Sequence, residues 1–196
     1  QAITEYTESL ALNPHQPIAY HRRGVSYDWT DDDRYQADYK QAITEAGLLI
    51  AKNPRDAEAF WWRSIVELEA EDWSYRERLA DFTEAIRLNP TFAMAYFSRG
   101  TLHNDFNSYS HAITDLTEAI RLNPTDGKAY YVRGGLYRIT RKYDEAITDF
   151  RAVLTFAPTL SDMTHNNLAL VYEKLGDNDQ ALAEYDQAIA LNPMAE

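Results

Sequence analysis

Two kinds of segment alternate along the chain. In the first, AITDLTEAIRLNP (112–124), the apolar residues Ala112, Ile113, Leu116, Ala119 and Ile120 recur at i, i+1, i+4, i+7 and i+8. That spacing is one stripe of an amphipathic helix, and the strict alternation of a strand is absent. The second kind includes AYHRRGVSY (19–27), AFWWRSIVE (59–67), AYFSRGTLH (95–103), AYYVRGGLY (129–137) and HNNLALVY (165–172), and also reads as helix. The first kind ends in Asn-Pro at Asn13, Asn53, Asn89, Asn123 and Asn192, with Ala157-Pro158 in the one gap. Proline restricts the residue before it and cannot continue the hydrogen-bond ladder, so each copy predicts helix A, a short turn, helix B and a stop.

The proline steps are 40, 36, 34, 34 and 35 residues. A two-helix unit cannot bury its apolar face alone, whereas stacked copies can. The expected architecture is therefore all-α: one elongated solenoid over residues 1–196. Residues 1–14 form a helix B without its helix A, followed by repeats at 15–54, 55–90, 91–124, 125–158 and 159–193. The 40-residue first repeat places about six extra residues around YDWTDDDRYQADY, as a protruding acidic loop or an extended helix end.

These residues resemble the tetratricopeptide repeat (TPR) family over essentially the whole chain. Helix A of that family carries an aromatic, a small residue four on and another aromatic three later. Helix B carries Ala, an aromatic four on, a small residue three later and a closing Pro. The fourth repeat matches through Tyr130, Gly134, Tyr137, Tyr143, Ala146, Phe150 and Pro158, and the third through Tyr96, Gly100, His103, Tyr109, Ala112, Leu116, Ala119 and Pro124. The fifth matches through His165, Ala169, Tyr172, Ala181, Tyr185, Ala188 and Pro193. In the first repeat the positions fall on Tyr20, Gly24, Tyr27, then Tyr39, Ala42 and Pro54. The second departs, with Ser64 for the Gly, Glu67 for an aromatic and Arg78 for the helix-B Ala, which predicts loose packing or a register shift in ELEAEDWSY. The resemblance implies a right-handed superhelical solenoid of antiparallel helix pairs.

It also implies a concave groove for a protein or peptide partner, carried position by position onto His21, Arg22, Val25, Trp61, Trp62, Ile65, Phe97, Ser98, Thr101, Lys128, Tyr131, Asn166 and Asn167. Trp61 and Trp62 point about 100° apart, so at least one is expected to be partly exposed. One TPR subclass grips the C-terminal carboxylate of chaperones with a set of Lys, Asn and Arg. No three-helix window here supplies that set, so no carboxylate clamp is expected.

Composition narrows the remaining chemistry. There are 31 acidic and 19 basic residues, a net charge of −12, which argues against nucleic-acid binding. No apolar run approaches the ~18 residues of a membrane span. Cysteine is absent, removing disulfides and thiolate sites while leaving the compartment open. There is no phosphate loop or nucleophile elbow, and the five His show no i, i+4 pair, so no enzyme, cofactor or metal is expected. Asp31-Asp32-Asp33 reads as a solvated acidic turn, since Tyr35 stands where an EF-hand needs an oxygen ligand. Arg23, Arg63, Arg99 and Arg133 recur in helix A, and Glu45, Asp81, Asp115 and Asp149 in helix B, predicting a structural ladder of Arg–carboxylate bonds.

The chain begins inside a repeat and ends four residues after Asn192 with no capping helix. The expectation is a segment of a longer protein, or ends that pair with other copies through Ala2, Ile3, Tyr6 and Leu10 or Leu182, Tyr185 and Ile189. Of the 25 aromatic residues (14 Tyr, 7 Phe and 4 Trp), most fall at repeat packing positions. Trp61, Trp62, Phe97 and Tyr131 remain for the groove, with Trp29 and Trp73 in the irregular turns. The expected function is an interaction scaffold; the alternatives are self-assembly and an adaptor region of a larger enzyme or regulator.

Overall fold

A computed structural model describes residues 2–28, 34–66 and 75–192. The expectations for Trp29, Asp31–Asp33, Glu67, Trp73 and Pro193 lie outside these residues. Every described element is helical: α1 (Ala2–Leu12), α2 (Pro17–Asp28), α3 (Arg34–Lys52), α4 (Ala57–Ile65), α5 (Tyr75–Leu88), α6 (Ala93–Asp105), α7 (Tyr109–Leu122), α8 (Gly127–Ile139), α9 (Tyr143–Phe156), α10 (Ser161–Leu175) and α11 (Asn178–Leu191), with a 3₁₀ turn at Pro158–Leu160. The chain divides into two compact units, residues 1–98 and 99–196.

The Asn-Pro stops have a visible mechanism. The Asn backbone N–H closes the helix, as in Asn53 N–H to the Leu49 carbonyl at 2.8 Å and Asn123 N–H to Ala119 at 2.8 Å. Its side-chain oxygen then accepts from the amide two residues on, His15, Arg55 and Thr91 for Asn13, Asn53 and Asn89. The turn is thus built by a local side chain–backbone bond. Asp56 and Asp126 next cap α4 and α8 by accepting from Ala59 N–H and from Lys128 and Ala129 N–H.

In the first unit each of α1 to α5 packs on the next, and in the second the same holds for α7 to α11. A small residue in helix A meets a ring or Leu in helix B. A Cβ at Gly134 would stand 2.9 Å from Phe150 Cε1, so only glycine admits that ring so closely. Phe150 is fully buried in a core with Ala146, Leu168, Val171, Tyr172 and Ala181. Beside each contact lies a two-pronged ion pair. Arg133 Nε and Nη2 donate to the two Asp149 oxygens at 2.8 Å, and Arg99 does the same to Asp115 at 2.8 Å. Arg63 holds Asp81 at 2.6 Å.

The first pair of this ladder corrects the sequence expectation. Arg23 bonds Asp38, not Glu45, with both prongs at 2.7 Å. Gly24 accordingly faces Tyr39, whose Cε1 lies 2.5 Å from where a Cβ would stand. Tyr39 therefore occupies the position of Phe150, two helical turns away from that of Tyr143, to which its spacing from Ala42 and Pro54 assigns it. The reason is helix length. Tyr39 precedes its closing proline by 15 residues, whereas Phe82, Leu116 and Phe150 precede theirs by 8. The extra residues of the first repeat extend α3 beyond its ring. Ala42 and Ala46, in that extension, are fully buried, and Glu45 is held by His15 Nδ1 at 2.8 Å and by Gln41 Nε2 at 2.8 Å.

The fifth pair carries Leu168 where the others have Arg. His165 Nδ1 lies 2.6 Å from Glu184 Oε2 instead, one turn earlier on the helix. In the third, buried His103 lies against the ring of His111 at 5.2 Å.

Among the described residues of the second repeat the departures Ser64 and Arg78 are paired with each other, and the register shift expected in ELEAEDWSY lies largely outside those residues. Ser64 is fully buried and donates to the Arg78 carbonyl at 3.2 Å, while Arg78 Nε donates back to the Ser64 carbonyl at 3.0 Å.

Candidate functional site

Helices α2 and α4 each turn one stripe toward a shared depression. On α2 the stripe is Ile18, His21, Arg22, Val25 and Ser26; on α4 it is Glu58, Trp61, Trp62 and Ile65. These are helical i, i+3/i+4, i+7 spacings, so one face of each helix forms a wall. Tyr6 of α1, Phe92 and Met94 close an open pocket of about 720 Å³. It lies wholly within the first unit.

The two tryptophans divide their roles. Trp61 is only 7% exposed, and its Nε1–H donates to Ser98 Oγ at 2.9 Å. Its ring meets Trp62 edge-on at 4.6 Å and Phe92 at 5.6 Å. Trp62 is half-buried and keeps accessible surface in the pocket. The expectation of one exposed ring of the pair thus falls on Trp62, with Trp61 fastening the wall behind it.

His21 is stacked on Tyr39 at 5.8 Å and lies 6.2 Å from Trp62. Burial, reinforced by the neighbouring Arg22 charge, lowers its pKa below the ordinary histidine value, so the imidazole is neutral at pH 7. Arg22 and Glu58 are exposed, and among the described residues neither has an ion pair. The pocket therefore combines an aromatic and aliphatic floor with two opposite charges.

Six of the residues expected at the groove, His21, Arg22, Val25, Trp61, Trp62 and Ile65, come together here. Val25 also packs against the buried cluster of Tyr39, Ala42 and Val66. Ser98 serves through its bond to Trp61, and Phe97 is half-buried outside the pocket lining. Thr101 lies half-buried on α6 in the second unit.

The second unit gathers the others differently. Asn167 Nδ2 donates to the Tyr131 hydroxyl at 3.2 Å and to the Met163 carbonyl at 2.9 Å, while the Tyr131 ring stands edge-on to Phe150 at 6.2 Å. Lys128 is exposed in the first turn of α8. Asn166 joins Asp162, Met163, Tyr185, Ala188, Ile189 and Asn192 around a separate pocket of about 410 Å³.

Tyr6, Ile18, Ser26, Glu58, Phe92 and Met94 were not among the expected site residues. Ile18 and Glu58 continue the two stripes one turn toward the helix starts, a signal present in the spacing. Tyr6 is expected from the sequence on the end face that pairs with other copies, and the structure turns it to this pocket. Among the described residues no cluster of three His, Asp or Glu could hold a metal ion, and no helix is long and apolar enough to cross a membrane.

Two family models described as tetratricopeptide repeat match residues 105–161 and 163–194, and one described as anaphase-promoting complex subunit 5 matches 70–127. No curated protein matches significantly. Among solved structures, a crystal structure of MamA is 22% identical with a TM-score of 0.72, covering 80% of this chain and 90% of that one. MamA from Desulfovibrio magneticus RS-1 (41-end) is 17% identical with a TM-score of 0.71, covering 92% and 97%. YrrB, described as a TPR protein with an unusual peptide-binding site, is 23% identical with a TM-score of 0.63, covering 96% and 93%. At these identities the likeness is one of fold.

Proposed function

Since the chain belongs to the tetratricopeptide repeat family, we propose that it is a non-catalytic protein-interaction scaffold that takes a peptide or helical segment of a partner in the α2–α4 pocket. The observation that carries this reading is the 720 Å³ depression floored by apolar and aromatic side chains, with Trp62 accessible in it. A partly exposed Trp on a wall stiffened from behind is the kind of residue that dominates binding energy, because its large surface is desolvated with little loss of side-chain freedom. YrrB supports the reading to the extent that it is itself described as binding peptide. The net charge of −12 points to proteins rather than nucleic acids as partners.

The test is selection of binders from a display library of random nonapeptides, followed by affinity measurement on Trp62→Ala. Loss of about 2 kcal/mol, a hot-spot effect, with an unchanged circular dichroism spectrum is the expected result. Unchanged affinity would remove the pocket from the function.

A further inference from the structure

The charges on the pocket walls are distributed unevenly. In the first unit, Arg23, Arg63 and Arg87 each hold a carboxylate. Arg22 has no ion pair among the described residues, although it lies one position from Arg23. Helical geometry is the cause: neighbouring positions point about 100° apart, so Arg23 turns inward to Asp38 while Arg22 turns to the pocket. Among the described residues the one acidic side chain in the lining is Glu58, on the opposite wall and one helical turn nearer the helix starts.

Resting on the pocket reading above, we propose that the partner segment carries a bulky apolar anchor flanked by an acidic residue, the anchor lying against Trp62 and the carboxylate pairing with Arg22. Arginine suits this role because its planar fork matches a carboxylate with two hydrogen bonds. His21 is neutral at pH 7, so it does not compete for the carboxylate as a second cation, but its ring nitrogens offer a hydrogen bond beside Arg22. The overall charge of −12 opposes an acidic ligand at long range. Screening decides between the two effects: at physiological salt the Debye length is about 8 Å, so distant carboxylates are damped while a direct contact to Arg22 is not. Glu58 gives the site polarity, since a segment lying in the reverse direction brings its acid toward a like charge.

The experiment uses the nonapeptide library on the wild-type chain, on Arg22→Glu and on Trp62→Ala. The expected wild-type pool has Asp or Glu within about two residues of an apolar anchor. Replacing that acid by its amide in one selected peptide weakens binding about three- to fivefold, the scale of an exposed ion pair, and the difference shrinks in high salt. Arg22→Glu, an exposed substitution, reverses the preference toward Lys or Arg. A pool with no charge bias, or a basic one, overturns the acidic assignment and leaves the pocket standing. A pool that binds Trp62→Ala equally well, or no pool at all, overturns the pocket and this inference with it.

Discussion

The α4/α5 and α8/α9 pairs do the same work with different parts. Both bury a Phe directly after the Asp of an Arg–Asp fork: Phe82 and Phe150 are 1% and 0% exposed. They differ in nearly everything else. Ser64 replaces Gly134, Arg78 replaces Ala146, and α4 has 9 residues against 13 in α8. These departures are coupled. Because α4 ends at Ile65, the Ser64 carbonyl belongs to its last turn, and Arg78 Nε reaches back to bond it. Val66, extended beyond the helix end, still buries its side chain with Tyr39 and Ala42. The difference teaches that the ring and the fork hold a pair together, and that helix length and the small helix-B residue adapt around them.

The sharpest way to break this comparison is to remove the shared part. Phe150→Ala and Phe82→Ala are each expected to cost about 3–5 kcal/mol, measured by urea unfolding, because both leave large cavities in closed cores. A loss at Phe82 below about 1 kcal/mol would show that the α4/α5 pair does not depend on its ring. A smaller effect tests the coupled departure. Arg78→Ala restores the family residue yet removes the donor to Ser64, so a loss of about 1 kcal/mol is expected. A gain in stability would mean that the small residue, not the bond, is what this position favours.

The smallest effect is one of pH. Burial lowers the pKa of His21 in the first unit and of His103 in the second, aided by Arg22 and, for His103, by His111 against the opposing pull of Asp115. A depressed histidine binds protons more readily when unfolded. Its contribution is therefore full above the unfolded value of about 6.5 and is lost as pH falls from there through the folded value. Tm is expected to drop between pH 7.5 and 5.5, and the double variant His21→Phe, His103→Phe should flatten that slope.

The helix pairs were legible because Asn-Pro stops act through local bonds that any copy can make, and because the stripes in each helix are complete within it. The assignment of Tyr39 failed for an equally physical reason. Counting back from Pro54 presumes a constant helix length, whereas the contact that defines the pair runs from Gly24 forward. Gly24 to Tyr39 spans 15 residues and Gly134 to Phe150 spans 16, so the forward count carried the answer. For the pocket, periodicity could say that Trp61 and Trp62 diverge, but not which one is buried. That was decided by Ser98, 37 positions after Trp61, whose hydroxyl takes up the indole N–H.

The long α3 has a consequence for how such a chain can grow. Its excess over the other helices, counted from ring to proline, is seven residues, and seven residues of α-helix miss two whole turns by only about 20°. The added length is nearly phase-neutral, so the chain leaves α3 toward α4 on almost the same bearing as it would from a helix of ordinary length. Insertions of one to five residues would swing that bearing by at least about 40°, at 100° per residue. Alongside the duplication of whole repeats, the heptad is thus a second and finer quantum of growth, one that moves the exit of a single helix by about 10 Å along its axis while nearly keeping its bearing.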